Sequence, residues 1–261
     1  MTPLAAIGAG LAASLLLAPG PPPIAERRTG LPREDADGSD DYKVERIASD
    51  AAAPGAPPAL PSGIPAAFAT LVDPRGLRLL GTDGKLLCEL WLRREIELAA
   101  KPAAAMNVRQ PRLPPGAFLG VLRASGATGD FRAQPIDAGT YGLRYFHQPA
   151  DGNHLGTSDS RDFLIITSFE HDRDPSPVPK QDDLMALSTP VSPSDHALVL
   201  YVADLPAEDG DSPAADDAPR FYRRGEKEEW AVELSLAGRP PGAKEVESVR
   251  FGLVLVGHVA E

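Results

Sequence analysis

The sequence has a single cysteine, Cys88, so no intrachain disulfide can form. Aromatic residues make up 6% of the chain, which argues against an exposed stacking platform for sugars or bases. The formal net charge is −11, and Lys and Arg do not cluster on any predicted element. A polyanion such as DNA or an anionic membrane surface would be repelled overall, and we therefore expect no nucleic-acid partner.

Cys88 lies in an apolar run, where it shares one strand face with Leu86, Leu90 and Leu92. A reactive thiol needs a basic or helix-terminal setting, which the neighbouring sequence does not provide. We therefore expect Cys88 to be a small buried hydrophobic residue.

An uncharged apolar segment, residues 5–18, is followed directly by a proline-rich stretch. It is shorter than the roughly 20 residues of a spanning helix, but its length suits the apolar region of a secretory signal. We predict a signal peptide over residues 1–25, although no Lys or Arg precedes Ala5. The mature chain is then expected to be exported, periplasmic or extracellular, with no stable membrane span.

The next segment, residues 26–65, has few large apolar residues. Ten of the 28 prolines fall between Pro19 and Pro65. A segment of this composition buries too little surface to offset the entropy lost on ordering. We predict a disordered Pro/Ala-rich linker here and one folded domain over residues 66–261.

Beyond residue 65, short apolar runs alternate with turn residues, and most have a period of two. This pattern predicts ten strands, at Phe68–Val72, Leu77–Leu80, Lys85–Ile96, Ala117–Arg123, Thr140–His147, Asp162–Phe169, His196–Val202, Arg220–Arg223, Glu229–Leu236 and Val249–Val259. Asp83-Gly84 predicts a hairpin turn between the second and third strands. Helices are scarce, and the best candidate is short, at residues 181–187, with acidic residues near its start.

The strands also indicate which side faces the core. Tyr141, Leu143 and Tyr145 alternate with Gly142 and Arg144, which predicts antiparallel sheets with one face in water. Many strands and hardly any helix favour an all-β fold. We expect a two-sheet β-sandwich, with a partly open β-barrel as the alternative.

One polar loop, residues 147–162, holds the densest set of ligand-capable side chains. Asp151, Asn153, Gly156 and Asp162 match positions 1, 3, 6 and 12 of a calcium loop, but position 5 is Leu155. His147 and His154 with Asp151 suggest a transition-metal site that lacks a further ligand. The candidate ligands for a divalent metal are thus His147, Asp151, Asn153, His154 and Asp162.

The same loop permits two other interpretations. A hydrolase would use Ser158 or Ser160 with His154 and Asp159, but the nucleophile-elbow pattern G-x-S-x-G is absent from the sequence. Alternatively, the polar residues shape turns through local bonds to the backbone, while Arg161 and Asp162 fix the loop to a neighbouring strand. We favour this structural interpretation and predict no catalytic residue.

Three segments, GTYGLRY at 139–145, DGNHLGTS at 151–158 and RDF at 161–163, resemble a group of exported bacterial proteins with no assigned function. In that group a G-x-Y-x-L-R-Y strand leads into a D-G-x-H-L-G-x-S-x-x-R-D-F loop. Residues 89–92 and 256–258 are also similar to it. The chain departs at Gly142, where the group has Thr, and at Asn153, where it has Asp. The resemblance implies export and a β-fold.

Together these features predict a non-catalytic binding or scaffold module of the cell envelope, whose partner is an envelope protein or a small ligand. The alternative is a metal-binding protein or a hydrolase that uses residues 147–162.

Overall fold

The chain folds mostly into β-strands. The computed structural model describes residues 42–48, 58–103, 106–148, 158–206, 219–224 and 229–257. All of them belong to one compact unit, Asp35–Glu261. The strands of this part are β1 Lys43–Arg46, β2 Leu77–Leu80, β3 Leu86–Leu92, β4 Glu95–Glu97, β5 Phe118–Ala124, β6 Thr128–Gly129, β7 Pro135–Ile136, β8 Gly139–His147, β9 Asp162–Ser168, β10 Val199–Ala203, β11 Phe221–Arg224, β12 Glu229–Arg239 and β13 Glu247–Val256. The helices are α1 Ala66–Ala69 and α2 Gln181–Ser188, and a 3-10 turn at Thr189–Val191 follows α2.

Eleven of the described strands form one strongly curled sheet, a half-barrel. Its order is β1-β2-β3-β5-β8-β9-β10-β13-β12-β11, and neighbours along this path are antiparallel. β4 lies off the path and pairs with β12 in parallel, which makes the sheet mixed. β6 and β7 form a separate two-stranded ribbon. The two-sheet sandwich is not confirmed, because a single path of paired strands joins the main elements.

The chain changes neighbours between β3 and β4, where only Arg93 and Arg94 intervene. Here the backbone N–H of Arg93 still bonds to the Leu119 carbonyl at 2.7 Å, whereas that of Arg94 bonds to the Leu71 carbonyl at 2.8 Å. The strand predicted over Lys85–Ile96 is therefore two strands. The apolar pattern runs through the bend and does not reveal it.

Opposite faces of the sheet carry different apolar clusters. One face holds the main core, with inward residues such as Leu90, Leu122, Leu143, Leu164, Val232 and Leu253. Three smaller clusters cover parts of the other face. The first contains Phe68 of α1, the second contains Phe131 from the turn between β6 and β7, and the third contains Leu184 of α2. The expectation of one fully wet face is wrong, since these elements remove much of it from water.

The prediction of a strand at Phe68–Val72 is wrong. This segment contains the end of α1 and the turn after it. Phe68 and Val72 are both fully buried in one cluster. They are four residues apart, a spacing that fits one face of a helix as well as one face of a strand, and Val72 itself forms an isolated antiparallel bridge with Arg93. The Phe68 ring packs edge-on against Phe118 and Phe169, with ring centroids 4.8 and 5.1 Å away.

The folded part begins before Ala66, because β1 lies inside the segment predicted to be a linker. β1 pairs with β2, and Val44 packs against the main core beside Tyr42. A few apolar residues are enough to extend an existing sheet edge, even when the surrounding composition is proline-rich. The signal-peptide prediction falls on residues 1–25, outside the described residues.

Other local predictions agree with the structure. The short helix is present as α2, and β2 and β3 form a hairpin across Asp83 and Gly84. Cys88 is buried, and this burial raises the pKa of its thiol to about 12. None of the described helices has the length and apolar character needed to cross a bilayer.

Candidate functional site

Two of the five candidate ligands, His147 and Asp162, lie opposite each other on neighbouring strands. His147 ends β8, Asp162 begins β9, and the antiparallel register pairs them directly. Asp151, Asn153 and His154 lie outside the described residues. The strand register thus brings together the two ends of the polar loop.

The carboxylate of Asp162 is fully buried and accepts four hydrogen bonds. Oδ2 accepts the backbone N–H of Arg109 at 2.7 Å and the Ser160 hydroxyl at 2.7 Å. Oδ1 accepts the backbone N–H of Gln110 at 3.0 Å and the hydroxyl of Tyr145. A carboxylate offers about four lone-pair sites, and protein donors fill these four.

The buried hydroxyl of Tyr145 links Asp162 to His147. It also lies 2.9 Å from the Gln110 carbonyl and 2.8 Å from Nε2 of His147. Burial, followed by the charge of Asp162, raises the pKa of Tyr145 far above its usual value. The hydroxyl therefore stays protonated and has one proton to donate.

His147 is half-buried at the edge of this group. Burial is the main cause that lowers its pKa, and Arg161 acts in the same direction, whereas Asp162 raises it. The imidazole is therefore mostly neutral at neutral pH. We call Tyr145, His147, Ser160 and Asp162 the Asp162 cluster.

The Asp162 cluster holds down a separate segment, residues 106–113. Besides the contacts of residues 109 and 110, the Gln110 side chain donates to the Arg250 carbonyl of β13 at 2.9 Å. The Asn107 carbonyl accepts the backbone N–H of Arg161 at 2.9 Å, and Arg112 pairs with Glu247. The segment is thus fastened to β9 and β13.

The hydrolase arrangement is not formed by the described residues that were proposed for it. The Ser160 hydroxyl donates to Asp162 and accepts that residue's backbone N–H at 3.1 Å, in a fully buried position. The Ser158 hydroxyl donates to the Ser160 carbonyl. Asp159 lies 3.7 Å from Arg224, and His154 is outside the described residues. Neither serine is aimed at a histidine.

A metal site is also not formed by the described part of the loop. Within the described ranges, no group of three or more His, Cys, Asp or Glu side chains is placed to hold a metal ion. The lone pairs of Asp162 are directed at protein donors. The metal hypothesis now depends on Asp151, Asn153 and His154.

A second buried polar centre, at Arg144, is not among the predictions made from the sequence. Its side chain is 0% exposed, although the alternation of β8 predicts a wet face here. Nε and Nη2 donate to the Asp172 carboxylate at 2.7 and 2.6 Å. Nη1 donates to the carbonyls of Gly116 and Ser176, and Nη2 also donates to that of Asp174. All five guanidinium protons have acceptors.

The Arg144–Asp172 pair fastens the loop after β9 onto β8. Thr167 supports the pair, since its hydroxyl donates to Asp172 Oδ2 at 2.8 Å. The one available sequence signal was Gly142, because a glycine inside a strand marks a close approach. A Cβ at this position would lie 2.6 Å from the Thr167 hydroxyl.

A third buried charge, Glu89 of β3, is paired across strands. Arg78 of β2 lies 2.8 Å from its Oε1, and Arg123 of β5 lies 2.9 Å from its Oε2. Both arginines are partly exposed, so this group stabilises the sheet surface.

The polar groups described so far act as acceptors and donors within the fold. Comparisons of the chain with models of protein families, with curated proteins and with solved structures find no match.

Proposed function

We propose that the chain is an exported, non-catalytic binding or scaffold module of the cell envelope. The observation that carries this proposal is the hydrogen bonding of Asp162, whose four acceptor sites are filled by protein donors. A carboxylate in this state has no lone pair left for a metal or for a proton of a substrate. Of the residues that suggested chemistry at 147–162, the described Ser160 and Asp162 are thus engaged in holding the fold together.

The proposed frame for binding is a partly open barrel. It is supported by the two-residue connection between β3 and β4. β3 pairs with β5, whereas β4 pairs with β12, near the opposite end of the strand order. The path of hydrogen bonds therefore returns close to its start. A frame of this kind presents loops from a rigid core, which suits a binding module.

The proposed location is supported by composition. The apolar segment at 5–18 has the length of a secretory signal, and the net charge of −11 opposes binding to polyanions inside the cell. The resemblance to exported bacterial proteins points in the same direction. The proposed partner is an envelope protein or a small ligand.

Export is tested by fusing alkaline phosphatase, which is active only outside the cytoplasm, to the end of the full chain. Whole bacterial cells should show phosphatase activity, and a matched fusion lacking residues 1–25 should lose it. Equal activity from both fusions, or none from either, would reject the export part of the proposal.

Partner binding is tested by photo-crosslinking in native cells. A photoreactive residue replaces Met106 or Val246, the exposed large apolar side chains of the described region, 82% and 47% exposed. Lys85, in the turn between β2 and β3, is the matched exposed control position. We expect a discrete envelope adduct at one or two of these three positions, but not at all three. Identical smears at all three positions, or no adduct at any, would contradict a specific partner.

A further inference from the structure

The curled sheet ends in an open edge at β11. Among the described strands, β11 pairs only with β12. Glu233 of β12 donates its backbone N–H to the Arg220 carbonyl at 2.8 Å. In an antiparallel pair, every second residue directs its backbone groups at the partner strand. Tyr222 therefore also faces β12, whereas the backbone N–H and carbonyl groups of Phe221 and Arg223 point to the open edge.

Aromatic side chains lie beside this edge. The Phe221 ring stacks on Trp230 of β12, with ring centroids 5.4 Å apart and planes 15° apart. Tyr42, just before β1, approaches Trp230 from the other end of the strand path, with centroids 5.9 Å apart. All three rings are only partly buried. They therefore offer an apolar surface to a strand that is added next to β11.

The exposed charge on β11 is positive. The Arg223 side chain is exposed and has no ion pair within the described part of the chain. Its neighbour Arg224, in contrast, pairs with Glu229 at 2.5 Å. The net charge of −11 repels an acidic partner at long range, but this repulsion is screened beyond about 8 Å at physiological ionic strength. At contact distance, the guanidinium of Arg223 therefore favours a carboxylate.

These three observations together describe a site for strand addition. An extended peptide binds an open sheet edge through backbone hydrogen bonds, and its alternate side chains give specificity. A strand antiparallel to β11 places one residue beside Arg223 and the residue two positions later beside Phe221. A carboxylate suits the first position, and an apolar side chain suits the second. We propose that β11 binds an extended segment of a partner protein in which an acidic residue precedes an apolar residue by two positions.

This inference rests on the proposed binding function and names the partner chemistry at one edge of the fold. The two proposals fail separately. Absence of peptide binding at β11 would leave envelope adducts at Met106 or Val246 unchanged. Absence of those adducts would not affect a peptide titration.

The first test is a titration of the purified full chain with a labelled peptide, followed by fluorescence anisotropy. The peptide T-T-E-T-V-T-T has the proposed spacing, with both ends blocked, and T-T-K-T-V-T-T is its charge-reversed control. We expect saturable binding of the glutamate peptide. The lysine peptide should bind about two- to fivefold more weakly, the effect of one exposed ion pair.

Residue-resolved hydrogen exchange locates the bound peptide. The amides of Phe221 and Arg223 should exchange more slowly when the glutamate peptide is bound, because they gain hydrogen bonds to it. The amide of Tyr222 is the internal control, since it already faces β12 and should not change.

A charge swap tests the side-chain contact. Arg223→Glu should reverse the preference, so that the lysine peptide binds more tightly than the glutamate peptide. Lys85→Glu is the matched control, because it makes the same charge change at an exposed turn residue and should keep the original preference. Circular dichroism checks folding, and the wild-type affinities and the exchange data decide if Arg223→Glu does not fold.

A second copy of the chain is the competing occupant of this edge. Analytical ultracentrifugation of the full chain without peptide should show a monomer. The proposal is overturned by a dimer in which the amides of Phe221 and Arg223 are already protected. It is also overturned if the glutamate peptide does not bind, if neither amide gains protection, or if a folded Arg223→Glu keeps the original preference.

Discussion

Asp172 and Asp162 are both buried aspartates that hold the loops around β8 and β9, but they are neutralised differently. Asp172 faces a guanidinium, Arg144, in a two-bond contact. Asp162 faces only neutral donors, two backbone amides and two hydroxyls. The first arrangement is an ion pair, and the second resembles an anion-binding pocket filled by the protein's own side chain.

The difference predicts how each region responds when one partner is removed. Removing one member of a buried ion pair leaves an uncompensated charge, whereas removing one of several neutral donors leaves a buried acceptor that keeps its other hydrogen bonds. The stability of the Arg144 region should therefore depend on keeping both charges, whereas that of the Asp162 cluster should depend on how many hydrogen bonds the carboxylate accepts.

The largest expected effect comes from Arg144→Met, which leaves Asp172 buried without its cation. The free energy of unfolding should fall by about 3–5 kcal/mol, measured by urea denaturation. Arg75→Met is the control, since it removes an exposed arginine that pairs with Asp73. If both variants lose the same small amount, the Arg144 pair does not stabilise the fold as described.

Asp162→Asn should have the next largest effect. The amide keeps one acceptor oxygen but replaces the other with an NH2 group, which faces the Arg109 amide or the Gln110 amide. The unfolding free energy should fall by about 1–3 kcal/mol. Hydrogen exchange should show faster exchange of these two amides. The exposed Asp137→Asn is the control, and equal exchange in both variants would contradict the fastening of residues 106–113.

Gly142→Ala tests how tightly the strands pack beside the Arg144–Asp172 pair. The added Cβ would lie 2.6 Å from the Thr167 hydroxyl that supports Asp172. We expect a loss of about 1–3 kcal/mol in a urea melt, as for other overpacked sites. Gly81→Ala is the matched control, because its Cβ would make only an ordinary contact at 3.4 Å. An unchanged midpoint for Gly142→Ala would show that the space beside Thr167 is not tight.

The smallest effect should be a pH dependence from His147. Burial lowers its pKa in the folded state, so the unfolded chain takes up the proton first as pH falls. Stability should therefore drop as pH falls below about 6.5, the usual histidine pKa. His147→Gln should remove this part of the drop between pH 8 and pH 5.5, while the contributions of the carboxylates cancel in the difference. Parallel pH curves would contradict a neutral buried His147.

The period-two alternation was sufficient to predict most strands, because each strand of the curled sheet has one face in the main core. It failed at Phe68, which lies in the one-turn helix α1, because a spacing of four to Val72 fits a strand as well as a helix. It also failed at Arg144, since alternation shows only that two residues point to opposite faces. Whether the second face is wet depends on α1, α2 and the loop near Asp172, which fold over it.

The candidate site was predicted in part. His147 and Asp162 flank one loop, so their proximity follows from strand pairing. Tyr145 was assigned to the core, and its hydroxyl turned out to be the link between them. The contact between Asp162 and residues 109–110 spans more than 50 positions. No local pattern predicts an interaction over that distance.

The most direct test of the central claim, that Asp162 holds the fold rather than a ligand, is a thermal melt with metals. Wild type and Asp162→Asn are melted with Ca²⁺, Zn²⁺, Mn²⁺ or a chelator. A metal bound only by the folded state raises the melting temperature by mass action. We predict a lower melting temperature for Asp162→Asn under all conditions and no metal dependence in either protein. A metal-dependent rise in the wild type that Asp162→Asn abolishes would contradict the account.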